Sequence, residues 1–289
     1  MNSKNIRVFK FRYGNENDLD ALFEDYMWFS GLADLNDPYE GYASFSDEEI
    51  DDNFREDFLA AVYAKEPKND VSPLVEAQTY RKNYEKDTGT SFSDYVDSKA
   101  VKVIESFYAE HKSDFKILSL SLAKDGHDHP APLNNMLMWS HYANGFKGFC
   151  VDYDFEKLKH SIETKNNLEL ATSQVKYAID GKLPVIKMKT FMQSTIDDSR
   201  DSSFEILDAF TRKEQSWGYE NEVRFMSEQG GKLYYEPNCI NAVYISEKAP
   251  SWLNSSLLSN LALKNAGIKI FIVNLHPSEY KFGFNRVDA

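Results

Sequence analysis

The chain opens on a strict alternation of ring and charged side chains. Over residues 6–13, read as a first strand, Phe9, Phe11 and Tyr13 fall on one side while Lys10 and Arg12 fall on the other. A short helix is expected over 17–25, entered through an Asn/Asp cluster suited to N-capping, and a second strand over 27–30. The segment Asp34-Leu35-Asn36-Asp37-Pro38-Tyr39-Glu40 reads as a rigid loop, because Pro38 fixes its own φ and pushes Asp37 out of helical geometry. From 47 to 114 the texture changes to charged residues with spaced aromatics, among them Phe54, Phe58, Tyr80, Tyr84, Phe92 and Tyr95. Their helical intervals predict a helical insertion, and the polar stretch 65–72 is its candidate linker.

Beyond it, Phe115, Ile117, Leu118 and Leu120 mark a strand closed by a loop over 124–132. A helix over 133–143 leads into a strand over 147–153, and further strands are expected over 168–177, 222–226, 232–235, 240–246 and 268–273. Two more helices are expected over 202–213 and 251–264. This order lacks both regular βαβ alternation and a Gly-rich phosphate turn, so the fold class is α+β rather than doubly wound. One domain is expected over residues 1–289, with 47–114 inserted into it.

Composition narrows the picture. Hydrophobic residues at 42%, with 20 Phe and 17 Tyr, give enough apolar bulk for a core, which argues against global disorder. The formal net charge of −13, with no Lys/Arg run, disfavours duplex nucleic acid as a partner but leaves room for a small anionic ligand held by a few cations. Cys150 and Cys239 form no CxxC pair or zinc array, and Cys150, inside an apolar run, reads as a small buried hydrophobe. No metal site is expected. Residues 1–8 are polar and no stretch approaches the ~18 apolar residues of a membrane helix, so the expectation is a cytoplasmic protein with no membrane partner.

Three segments carry candidate chemistry. Lys10 and Arg12 side by side make either a solvated basic face or a clamp for phosphate. In Trp217-Gly218-Tyr219-Glu220-Asn221-Glu222-Val223-Arg224-Phe225, Val223 and Phe225 are expected to face the core, aligning Glu220, Glu222 and Arg224 on the other side of a strand. That stripe is either a surface salt-bridge row or a pair of carboxylates that perturb one another beside a cation. Met138-Trp139-Ser140-His141-Tyr142 combines flat rings with polar handles, which suits either a heterocycle or a structural helix. His127 and His129 belong to a Gly/Pro loop and read as loop rather than as metal ligands.

Taken in order, Phe9-Lys10-Phe11-Arg12-Tyr13, Asn36-Asp37-Pro38-Tyr39-Glu40, Met138-Trp139-Ser140-His141-Tyr142 and Trp217-x-Tyr219-Glu220-x-Glu222-x-Arg224 resemble a bacterial family known as domain of unknown function 2971. A weaker similarity is to the ADP-ribosyltransferase superfamily, although no Ser-Thr-Ser triplet is present. That resemblance implies a mixed, mainly antiparallel central sheet and a toxin or defence effector that takes NAD as substrate, with a macromolecular acceptor. Carried over, Arg12 or Lys10 would hold the diphosphate or ribose and Tyr142 would flank the nicotinamide. Glu222 would stabilise the oxocarbenium-like state, and Glu220 would orient or deprotonate the acceptor. His141 joins these in the candidate catalytic set. The candidate nucleotide-binding set is Lys10, Arg12, Tyr13, Ser30, Asn36, Asp37, Glu40, Trp139 and Arg224. Two other functions fit the same residues: a metal-dependent hydrolase or nuclease using Asp37, Glu40, Glu220, Glu222 and His141, and a non-catalytic nucleotide sensor or interaction protein.

Overall fold

The computed structural model describes residues 6–46, 49–65, 70–123, 130–199, 201–264 and 267–287. His127 and His129 lie outside them. The chain divides into two compact units: one takes the chain to Leu35, then Phe115–Ile179 and from Lys213 onward, and the other takes Asn36–Asp114 and Asp180–Arg212.

The first unit begins with β1 (Arg7–Arg12), α1 (Glu16–Phe23) and β2 (Tyr26–Gly31). The chain then enters the second unit through β3 (Ser44–Ser46), α2 (Asp52–Lys65), α3 (Pro73–Thr88) and α4 (Phe92–Asp114). It returns through β4 (Lys116–Leu122), α5 (Ala131–Asn134), α6 (Met136–Tyr142), β5 (Phe149–Asp154), α7 (Phe155–Asn166), β6 (Ala171–Gln174) and β7 (Lys176–Ala178). A second excursion supplies β8 (Val185–Lys187), α8 (Met188–Asp197) and α9 (Asp201–Ala209). The remainder is β9 (Arg212–Glu214), β10 (Glu222–Ser227), β11 (Gly231–Tyr234), β12 (Ile240–Ser246), α10 (Ser251–Lys264), β13 (Lys269–Leu275) and β14 (Phe282–Val287).

A ten-stranded mixed sheet organises the first unit, in the order β11-β2-β4-β1-β5-β12-β13-β14, with β10 pairing β4 and β6. Its ladders are antiparallel except for β12 with β13. Both faces are buried. Val8, Leu118, Leu120, Val151, Val223, Phe225 and Val243 join α1, α7 and α10 in one core through Leu22, Leu158, Ile162, Leu253 and Leu257. Phe9, Phe11, Cys150, Ala242, Tyr244 and Val273 join α5 and α6 in the other through Leu133, Met138 and Trp139. Cys150 is thus a buried apolar residue of the second core. No described helix is long and apolar enough to cross a membrane.

Local sequence explains several boundaries. Asn15 caps α1 by accepting from Asp18 N at 2.9 Å. Asn135 accepts from the amides of Leu137 and Met138 and so starts α6, splitting the helix expected over 133–143 in two. The strand expected over 168–177 breaks at Val175, with β6 on β10 and β7 on β9. The helix expected over 202–213 stops at Ala209, and Lys213 lies in a strand instead. The sequence reading missed α7, α8, β3, β8 and β14 altogether. Asp154 caps α7 by accepting from Lys157 N.

In the second unit Arg55 on α2 binds Asp97 on α4, and Arg81 on α3 binds Asp52 and Glu56 on α2. The helical insertion expected over 47–114 thus takes the form of three helices that these pairs tie to one another. The unit also takes in the loop that follows Leu35 and the segment Asp180–Arg212.

Candidate functional site

Strand register decides which charges meet. Phe9 and Glu222 both lie opposite Ser121 of β4, so they share one face of the sheet. Alternation then puts Lys10 and Arg12 on the opposite face, with Val8, Leu120 and Val223. The two charged stripes that seemed alike in sequence therefore stand on different faces, and neither is a solvated surface. Arg12, 8% exposed, is turned into the main core. Its guanidinium reaches Asp18 at 3.4 Å and Met27 Sδ at 3.7 Å, and Asp18 in turn accepts from Gly14 N, so Arg12 ties α1 and β2 to β1.

Lys10 takes a different course. β4 pairs with β1 only at Ser121 and Leu122, and with β2 only at Lys116 and Ile117, which leaves the stretch between unpaired on that edge. Lys10 donates to the Ser119 carbonyl at 2.9 Å, in the gap. Burial, then the neighbouring Arg12 charge, lowers the Lys10 ammonium to about 8, against the opposing pull of Glu222, Asp18 and Glu220. Lys10 thus feels the charges of the Glu222 cluster.

The centre of that cluster is Lys213, which the sequence reading did not single out. Its ammonium lies 2.9 Å from Glu220 Oε2 and 2.8 Å from Glu222 Oε2, and 5.4 Å from the Trp217 ring centre. Glu222 also takes Arg224 Nε at 2.8 Å, and its backbone N–H donates to the Tyr177 hydroxyl. Glu220 does not lie on the strand. It ends a 3-10 turn over Gln215–Glu220, and Asn221, at φ 43°, redirects the chain into β10. The two carboxylates therefore meet through Lys213 rather than through strand spacing.

Their environments differ. Burial alone would raise the Glu222 carboxyl, but Arg224 and then Lys213 outweigh it and bring it to about 2. Burial wins at Glu220, whose carboxyl is raised despite Lys213 and a hydrogen bond donated by the Tyr142 hydroxyl. One carboxyl is thus held below the usual carboxylate range and the other is pushed above it, so the two differ in how readily they take a proton.

Around the rim, the Tyr13 hydroxyl donates to the His141 carbonyl at 2.7 Å, and His141 Nδ1 is 2.8 Å from the Tyr219 hydroxyl. Tyr13 and His141 are exposed. Trp139 is not a ligand surface: it is fully buried against Phe11, Phe146 and Phe282, and its indole N–H donates to the Leu133 carbonyl. Ser30 is half-buried in β2, opposite Ile117.

Asn36, Asp37 and Glu40 belong to the second unit. Asn36 is exposed, and Asp37 and Glu40 are buried. Asp37 accepts from Tyr39 N through Oδ1 at 2.8 Å and from Glu40 N through its carbonyl at 3.0 Å. Gly41, next along, accepts at its carbonyl from Tyr108 and Lys112 of α4, which fixes the loop. Among the described residues no three or more His, Cys, Asp and Glu side chains are grouped to hold a metal ion.

No curated protein and no solved structure matches the chain. Residues 138–225, which span Tyr142, Lys213, Glu220, Glu222 and Arg224, match a family described as a protein of unknown function, DUF2971.

Proposed function

We propose that the Glu222 cluster takes NAD as donor in an ADP-ribosyltransferase-like glycosyl transfer. The observation that carries the reading is Glu222 itself, a carboxylate 2% exposed and kept ionised by Arg224 and Lys213. Loss of nicotinamide leaves positive charge on the ribose, and a carboxylate already fixed in place stabilises that charge without reorganising. Glu220, with its raised carboxyl and its Tyr142 partner, suits the base that takes a proton from the acceptor. Lys10 is the cation assigned to the diphosphate, since Arg12 is committed to Asp18 and the core. In a chain of net charge −13, the cations Lys213 and Arg224 on the two carboxylates Glu220 and Glu222, with Lys10 feeling the same charges, favour an anionic dinucleotide here.

The test is release of nicotinamide from labelled NAD, with NAD-dependent thermal stabilisation measured in parallel. Glu222→Gln is expected to bind NAD nearly as the parent does and to turn over roughly two to four orders of magnitude more slowly. Glu222 also neutralises Arg224 and Lys213, so Glu220→Gln, which leaves the Glu222–Arg224 pair whole, is the second arm. A parent protein that shows no nicotinamide release and no NAD-dependent stabilisation sinks the reading and leaves the cluster as a structural charge network.

A further inference from the structure

A second candidate site is independent of the Glu222 cluster and lies in the other unit. A groove of about 480 Å³ runs along α3, lined by Glu76, Thr79, Tyr80, Asn83, Tyr84 and Asp87 among others. Its size falls in the range of small-ligand sites. The lining residues recur at three- and four-residue intervals and so form one face of the helix.

Two chemistries meet on that face. The rings of Tyr80 and Tyr84 are 5.1 Å apart, and Tyr95 of α4 packs on them at 5.2 and 4.6 Å, giving an electron-rich wall. Tyr95, which packs on these rings without lining the groove, itself receives an alkylammonium: Lys99 Nζ stands 5.6 Å from its ring centre. The carboxylate residues lining the groove are Glu76 and Asp87, and among the described residues no Lys or Arg lines it. Arg81 of the same helix is turned away to Asp52 and Glu56. From residue 76 to residue 87 the helix rises about 16 Å.

Two carboxylates at that spacing do not share one metal ion, and they repel an anion. They match a chain with a positive charge at each end and an apolar middle. We propose that this groove binds a linear organic polyamine, its terminal ammonium groups at Glu76 and Asp87 and its methylenes along Tyr80 and Tyr84. The tyrosine faces favour alkylammonium groups, and the methylenes cover ring surface that a hydrated metal ion leaves wet.

Isothermal titration of the full chain with spermine, spermidine and putrescine tests this directly. Saturable one-to-one binding is expected, tightest for spermine because the longer chain spans both carboxylates. Asp87→Asn, at an exposed position, is expected to leave Tm unchanged and weaken spermine binding about five-fold. Tyr84→Ala is expected to weaken it about three-fold. The proposal is overturned by a spermine titration that does not saturate, by spermine binding indifferent to Asp87→Asn, or by full competition from Mg²⁺ at equal charge.

Discussion

Replacing Lys213 with Met removes one ammonium from the centre of the Glu222 cluster and keeps most of the side chain's apolar length. Lys213 and both its carboxylate partners are at most 6% exposed at the side chain, so the pair energies are weakly screened by solvent. Glu222 retains Arg224 at 2.8 Å, whereas Glu220 keeps the hydrogen bond donated by Tyr142. Removing one partner of a buried ion pair typically costs about 3–5 kcal/mol, and this loss falls mainly on Glu220. That carboxyl has an escape, because it is already raised and is raised further once Lys213 is gone. Between the unfolded-chain value and this raised one, the folded variant then binds more protons than the unfolded chain. Its stability relative to the parent therefore rises as pH falls, by at most about 1.4 kcal/mol per pH unit for the one proton involved. Urea unfolding followed by tryptophan fluorescence at pH 5, 6 and 7 measures this. A deficit below about 1 kcal/mol at pH 7, or one that stays flat from pH 7 to pH 5, refutes the assignment of Lys213 as the shared counter-ion.

Two further outcomes follow from single groups. Lys10, lowered to about 8, should appear as one early-titrating resonance among the reductively methylated lysines in ¹³C NMR. The unfolded chain binds more protons than the folded one above pH 8, so the Lys10 contribution grows more favourable as pH rises from 8 toward 10.5. A spectrum in which every lysine titrates above 10 removes the gap-filling role. In the second unit, Asp37→Ala strips the acceptor from the Tyr39 amide and should destabilise by about 1–2 kcal/mol. An unchanged Tm would show that Gly41 alone, through Tyr108 and Lys112, holds the loop.

What the sequence disclosed was set by distance along the chain. The period-2 runs that became β1, β10 and β12 and the helical run of α10 are local signals, and they gave those elements within a residue or so. Lys213 was hidden because the apolar spacing of 202–209 continues smoothly toward it and reads as one helix. Only the tertiary pairing of β9 with β7 turns it toward Glu220 and Glu222. Trp139 failed in the opposite sense. A ring with a polar handle looks the same in sequence whether its N–H meets a ligand or, as here, the Leu133 carbonyl six residues back.

The deeper limit is parity. Alternation within β1 shows that Lys10 and Arg12 share a side, and alternation within β10 shows the same of Glu222 and Arg224, but neither strand says which side the other has chosen. That is settled at one cross-strand row, where Phe9 and Glu222 both face Ser121. A slip of one residue in either ladder would have brought all four charges to one face and turned Phe9 or Val223 out of its core. Burial of those apolar residues therefore dictates that the charged stripes separate. Between its β1 and β2 pairings that edge of β4 is left without a ladder, and Lys10 donates to the Ser119 carbonyl there. Its long, flexible side chain carries the ammonium to that carbonyl, which the shorter reach of an aspartate or serine at position 10 would not allow.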